Sequence, residues 1–496
     1  MGKPLYTDNE WSFDALERVW DKIEEIAEDK YDLTYFPAQF EMIPYERMLN
    51  VYATAGLPNM YHHWSHGKSF VQHEKGYLAG QENLAYEVVI NTNPSIAYLM
   101  DSNTMTMQTL VMAHASVGHS SFFKHNKLFQ EHTDPSSILG FLEYGKEYMK
   151  QCEFKYGEAE VERVLDAAHA LRFYAIDRYK KPQISRKKRM EKMRAQNKET
   201  QQSFNHDHFQ INSTTRKELK FKKRPQLREE NILRYIMDNS PNLPAWKREV
   251  LRIVCEINQY LYPQMHTQVM NEGWACFWHY HIMNDLEDGG HLPEGAMFEF
   301  LASHTGVVAQ PAYNSPYYSG INVYALGFNI MMDIKRICQD PTDEDREWFP
   351  DIAGKDWLPV MKEIVQLFRD DSFIQTYLSP KVMRDMGLFN VLDHIEDEEH
   401  LTVTYIHDDE GYKAVRQKLS EQYTFSNNIP DMYVTGHDMQ GGRELSITHK
   451  ERNYIGLDRK TAMQTCIHMR ELWGYPVHLD ILYTDRTEGA EGVIIP

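Results

Sequence analysis

The chain has 496 residues and carries a formal net charge of −19, with 42% hydrophobic and 25% charged residues. That is ordinary globular composition, long enough for a sizeable core, and it excludes wholesale disorder and general nucleic-acid binding by the whole surface. No apolar run approaches the eighteen residues of a membrane span, and Asp8, Glu10, Asp14, Glu17 and Asp21 stand where an export signal would need apolar residues, so a soluble cytoplasmic protein is predicted. The five cysteines are scattered and never form a C-x-x-C pair, which points to neither a disulfide framework nor a zinc ribbon.

In chain order, Trp11 to Asp29 spaces Phe13, Leu16, Val19, Trp20, Ile23 and Ile26 at three- and four-residue intervals, as one face of a helix requires. Ala85 to Asn91 alternates and is rich in β-branched residues, which predicts a strand with Glu87 and Asn91 on one face. Helices are predicted over Met105 to Phe123 and Glu158 to Tyr179. From Arg178 to Glu230 the chain holds 17 Lys or Arg against 6 Asp or Glu and has little periodicity, so residues 181–229 are expected to be a basic linker or mobile excursion. Few aromatics interleave its charges, which weighs against a nucleic-acid arm. Helical patterns return from Glu230 to Leu286 and from Phe298 to Ile337, the latter broken by a loop at Gln310 to Asn322. Residues 1–180 with 230–395 are thus expected to form a mainly helical core. From 399 to 496, a strand at Leu401 to Ile406, a helix at Glu410 to Tyr423, strands at Asp431 to Asp438 and Glu444 to His449, a helix at Arg459 to Trp473 and a strand at Val477 to Tyr483 are predicted. That order, β-α-β-β-α-β, suggests a ferredoxin-like domain and makes the fold class α+β.

Candidate chemistry rests on the 23 histidines and on two apolar segments. His114 and His119 are five residues apart, about 140° apart on a regular helix, so they can chelate only if the helix ends or bulges near Gly118. Glu272 and His279 are seven apart, within about 20° of each other on one helix face, with Gln268 and Cys276 beside them. A buried carboxylate and imidazole need partners, and a cation is one solution; a salt-bridged Glu–His pair is the other. Two histidines and a carboxylate with an open position form the ligand set of hydrolytic zinc and of some non-haem iron sites. The loop expected from His304 to Asn322 carries Tyr313, Asn314 and Tyr317 among glycines and prolines, which suits a pocket wall for a peptide or sugar-peptide as well as it suits an ordered plug. No phosphate-binding loop, dinucleotide fingerprint or serine-hydrolase elbow occurs.

These strings resemble the SpoVR family (stage V sporulation protein R). The resemblance is carried by His63-Trp64-Ser65 with Gly67-Lys68, LAYEVVINTNPSIAYLM at Leu84 to Met100, MAHASVGHSSFFKHN at Met112 to Asn126 and QVMNEGWACFWHY at Gln268 to Tyr280. It continues through SHTGVVAQPAYNSPYYSGINVYALGF at Ser303 to Phe328, FPDIAG at Phe349 to Gly354 and LSPKVMRD at Leu378 to Asp385. It departs at His66, where the family has an aromatic, which makes His63 the better local candidate. The resemblance implies a cytoplasmic bacterial protein linked to spore cortex formation or stress physiology, with a serine kinase and a von Willebrand factor A-type protein as partners. His114 to His119 with Asn271-Glu272-Gly273-Trp274-Ala275 is also similar in layout to gluzincin-type metallopeptidases. It implies a divalent metal, zinc foremost, held by His114, His119 and Glu272, with His279 on the same wall. Ala115 stands where those enzymes have their general-base glutamate, so Glu87, or less strongly His63, is expected as the base, with Asn91 and His304 toward substrate. Two functions follow as expectations: a metallohydrolase acting on an amide of a peptide or cell-wall precursor, or a non-catalytic adaptor working with the kinase.

Overall fold

The computed structural model describes residues 3–78, 87–179, 229–312, 315–388, 408–424, 429–438, 442–452, 456–482 and 491–495, with 406 and 427. The basic stretch lies outside them from 180 to 228, as do Tyr313, Asn314 and the expected strand from Leu401, of which only Ile406 is described. The chain packs as two compact units, Met1–Leu165 with Glu256–Ile429, and Asp166–Cys255 with Pro430–Pro496. These boundaries differ from those expected: residues 166–255 go with the C-terminal segment, and the helix Asp409–Tyr423 goes with the first unit.

The first unit is mainly helical. Its first helix, Phe13–Glu25, starts where the Ser12 hydroxyl accepts from the Ala15 amide, and its buried stripe is Ala15, Leu16, Val19 and Ile23. A small sheet joins the helices. Strand β1 (Ala38–Ile43) runs parallel to β3 (Ser95–Met100), and β2 (Glu87–Ile90) runs antiparallel to β3 on its other side. Periodicity identified β2 alone. β3 is buried at all six positions and so does not alternate, and a short apolar run of that kind reads equally as helix or strand. Glu87 pairs with Leu99 at the start of β2, an edge strand among the described residues.

The centre of this unit is the helix Gln268–Asp288, apolar around most of its circumference and buried from Val269 to Leu286 along its inner faces. Trp278 and Phe277 are fully buried, each contributing about 1.5–3 kcal/mol by leaving water. Two close approaches fix its neighbours. A side chain at Gly273 would lie 2.5 Å from the Gly327 backbone on the helix Val323–Gln339. One at Gly118 would lie 2.5 Å from Ala275 Cα. The N-terminus of the central helix is capped from a distance: the Asp370 carboxylate accepts from the Val269 and Met270 amides at 3.0 and 2.9 Å. Asp370→Ala strips this buried helix end of its acceptor and should cost about 1–3 kcal/mol in urea unfolding. An unchanged midpoint would show that another acceptor replaces the carboxylate.

The second unit contains a four-stranded sheet in the order β4 (Asp431–His437), β5 (Leu445–Lys450), β6 (Val477–Leu482), β7 (Glu491–Ile495). β5 and β6 are parallel and joined by the helix Arg459–Trp473; the two outer pairings are antiparallel. The helix Ile232–Asn239 belongs here, with Tyr235 stacked on Trp473 and its hydroxyl 2.6 Å from His437 Nδ1. This corrects the ferredoxin-like expectation. That order needs the first strand between β5 and β6, whereas those two pair directly with each other. The helix expected to cover the sheet, Asp409–Tyr423, instead buries Tyr412, Val415 and Leu419 in the core of the first unit. The α+β class stands.

Among the described residues no helix is long and apolar enough to cross a membrane. The five cysteines are free and buried.

Candidate metal centre

The helix that begins at Met105 does not stay regular. Residues Ala113–His119 wind as a π-helix before α-helical winding resumes at Ser120, and the Ser120 amide donates to the Ala115 carbonyl, an i→i−5 bond. The wider turn reduces the angular separation that an α-helix would impose on His114 and His119. Their rings meet edge to face with centroids 4.7 Å apart. Gly118, inside the wider turn, lets the segment lie against Ala275 of the central helix. That contact brings Glu272, one turn before Ala275, opposite the two histidines.

Four polar atoms then face one another. His114 Nε2 lies 3.4 Å from Glu87 Oε1 and 3.7 Å from Glu272 Oε2; His119 Nε2 lies 4.0 and 3.5 Å from the same two oxygens. Zinc ligands at about 2.0–2.2 Å would form a tetrahedron with edges of about 3.3–3.6 Å, so the four separations are close to those of a ligand cage. The group is largely enclosed, with side-chain exposures of 9% for His114, 7% for His119, 11% for Glu87 and 18% for Glu272. Glu87 Oε2 is buried without a hydrogen-bond partner, and so is Glu272 Oε2. A cation would compensate this desolvation. The donor set therefore fits a divalent metal.

The electrostatics of the cluster follow from burial and crowding. Burial pushes the Glu87 carboxyl up to about 7, with Glu272 adding to the rise and His114 opposing it. Burial also raises Glu272, but His119, His114 and the Tyr324 hydroxyl outweigh it and hold that carboxyl below its ordinary value. For His114 burial acts downward, and the Glu87 carboxylate, Cys276 and Glu272 overcome it and raise the imidazole. His119 is lowered to about 4, mainly by burial. The cluster thus holds one ready anion at Glu272 and one carboxyl, Glu87, poised near neutrality.

The other predicted residues divide. His279 shares the helix face of Glu272 but stands behind His114, with its two ring nitrogens 2.8 Å from His114 Nδ1 and 2.7 Å from His304 Nδ1. With Cys276 and His114 it forms one of two close groups of potential ligand atoms among the described residues, the other being Glu87, His114 and His119. His304 lies on the helix Ala296–Val307 and not in the loop, and it is buried. His63 is not brought to the cluster: its Nδ1 lies 2.6 Å from Ser65 Oγ, in the wall of a cavity whose described lining includes no cluster residue. Asn91 is fully buried, donates to Thr133 Oγ1 and has its backbone oxygen bonded by Tyr260, so it serves packing. Tyr317 is 83% exposed, and no contact ties it to the cluster. Sequence reasoning missed Tyr324, whose hydroxyl helps to lower the Glu272 carboxyl, and Asn271, which acts to raise the His119 imidazole. Asn271 was adjacent to a chosen ligand; Tyr324, on a helix some fifty residues away, carried no spacing signal.

Comparison with known proteins identifies two family segments along the chain. The SpoVR like protein family matches residues 10–428, and the SpoVR-like C-terminal domain matches residues 430–482. The chain is similar to the Uncharacterized protein YcgB of Escherichia coli (strain K12), 47% identical over 476 residues that cover 95% of this chain and 92% of that protein. No solved structure matches. Both family segments are present in order and together span most of the chain, so the chain belongs to the SpoVR family.

Proposed function

We infer that the chain is a metal-dependent enzyme of hydrolytic type, in which His114, His119 and Glu272 hold a divalent cation, zinc by its donor set. The supporting observation is the convergence of two imidazole nitrogens and two carboxylate oxygens at 3.4 to 4.0 Å inside an enclosed cluster. Bound zinc supplies Lewis acidity and lowers the pKa of water to about 7. Glu87 stands at the fourth corner as the proton carrier, because its carboxylate faces both imidazoles from the edge strand and has one oxygen without a hydrogen-bond partner. It takes the role that Ala115 leaves vacant. The edge of β2 beside Glu87 favours an extended peptide, which can add to a sheet edge through its backbone, so the substrate class is an amide in a peptide or peptide-bearing cell-wall precursor. The physiological setting proposed with it is cytoplasmic, in spore cortex formation or stress.

Ala115 also favours a second reading, a non-catalytic adaptor that keeps the metal and acts with a serine kinase and a von Willebrand factor A-type protein. Metal analysis of the full chain tests what both readings share. The wild-type protein should bind about one equivalent of zinc, and His119→Ala and Glu272→Gln should each lose it. Absence of metal binding by the folded wild type would overturn the reading.

A further inference from the structure

The cluster continues into the protein through two more imidazoles. His114 Nδ1 lies 2.8 Å from His279 Nδ1, and His279 Nε2 lies 2.7 Å from His304 Nδ1. The three rings are buried and come from three successive layers: the π-helix, the central helix and the helix Ala296–Val307. Phe300, Tyr280 and Phe328 pack around the last of them, with centroids 5.6, 5.2 and 4.8 Å from the His304 ring. Such walls leave the rings little freedom to turn.

Each nitrogen-to-nitrogen contact is a hydrogen bond only if one partner carries a proton and the other does not, and a neutral imidazole has a single N–H. His114 directs Nε2 at Glu87 and Glu272, so Nε2 is its ligand atom and Nδ1 must carry the proton. That proton is donated to His279 Nδ1, which obliges His279 to carry its own on Nε2. His279 then donates to His304 Nδ1, and His304 keeps its proton on Nε2. One ligand bond fixes three tautomers in sequence.

We propose that His279 and His304 are positioning residues for His114, a chain of imidazoles that holds the first ligand in its Nε2-ligating tautomer and orientation. The proposal rests on the metal reading above. It gives His279 a role distinct from ligation, because both of its nitrogens are engaged in the chain.

The test compares His279→Asn, whose side-chain oxygen can accept near the position of Nδ1, with His279→Phe, which fills the same space without an acceptor. Zinc affinity of the full chain is measured by chelator competition. His279→Phe should weaken zinc binding about 10- to 100-fold, and His279→Asn should restore most of it. In the zinc-loaded wild type labelled with nitrogen-15 histidine, long-range proton–nitrogen spectra should show Nδ1–H for His114 and Nε2–H for His279 and His304, assigned by signals lost in single variants. Wild-type affinity in a folded His279→Phe protein, or an Nδ1–H signal from His279, overturns the proposal. If the Phe variant does not fold, the wild-type spectra decide. Zinc binding undiminished in His114→Ala would instead sink the metal reading itself, so the two failures are distinguishable.

Discussion

Glu87→Gln should abolish function while leaving bound zinc nearly unchanged. The substitution keeps the size and burial of the side chain but removes its ability to take up and release a proton, and a general base typically contributes about a hundred- to ten-thousand-fold. Glu87 is the one carboxyl of the cluster held near neutrality, whereas Glu272 is kept below its ordinary value by two imidazoles and the Tyr324 hydroxyl. The two carboxylates therefore divide the labour: Glu272→Gln should lose metal and function together, and Glu87→Gln function alone. Complementation of a strain lacking its own SpoVR-family protein, run with metal analysis of both purified variants, reads the difference. Full complementation by Glu87→Gln removes Glu87 as the base. With no second base facing the cluster among the described residues, that result would favour the adaptor.

The second large effect is expected far from any charge. In Gly118→Ala the new Cβ would stand 2.5 Å from Ala275 Cα and 2.8 Å from Ala275 Cβ, and the first of these is backbone that cannot swing aside. The π-helix and the central helix must separate, or the turn must revert to α-helical winding; either breaks the approach of His114 and His119 to Glu272. Overpacking of this kind costs about 1–3 kcal/mol, and here the loss of zinc should exceed what the loss of stability explains. The measurement is zinc affinity beside urea unfolding in the metal-free protein. Wild-type zinc affinity in Gly118→Ala would show that the five-residue spacing of the histidines tolerates more than one winding.

The local sequence determined a good deal about this protein. Helix extents were legible because capping and apolar spacing act within a few residues: Arg459 to Trp473 was read with both ends as observed. The ligand candidates His114, His119 and Glu272 were legible because a histidine pair and a carboxylate in apolar segments have few inexpensive resting states. A spacing of five is incompatible with one face of an α-helix, so chelation by this pair required an end or bulge near Gly118, and the π-helix spans that residue.

Tertiary structure decided what pairing across the chain decides. The ferredoxin-like expectation failed because an order of elements does not fix which strands are neighbours; β5 chose β6, and the helix Asp409–Tyr423 found more apolar surface to cover in the first unit. Glu87 could be placed on a strand face but not at the fourth corner of a cage, because that position depends on how β2 lies against the π-helix. Asp370 caps a helix a hundred residues upstream, and Tyr324 reaches Glu272 from a helix of its own. Helix spacing puts His279 on the face of Glu272, but only the packing of a third helix, which supplies His304, sets which groups its two nitrogens meet. Residue spacing sets which side chains share a face, but only packing sets what that face meets.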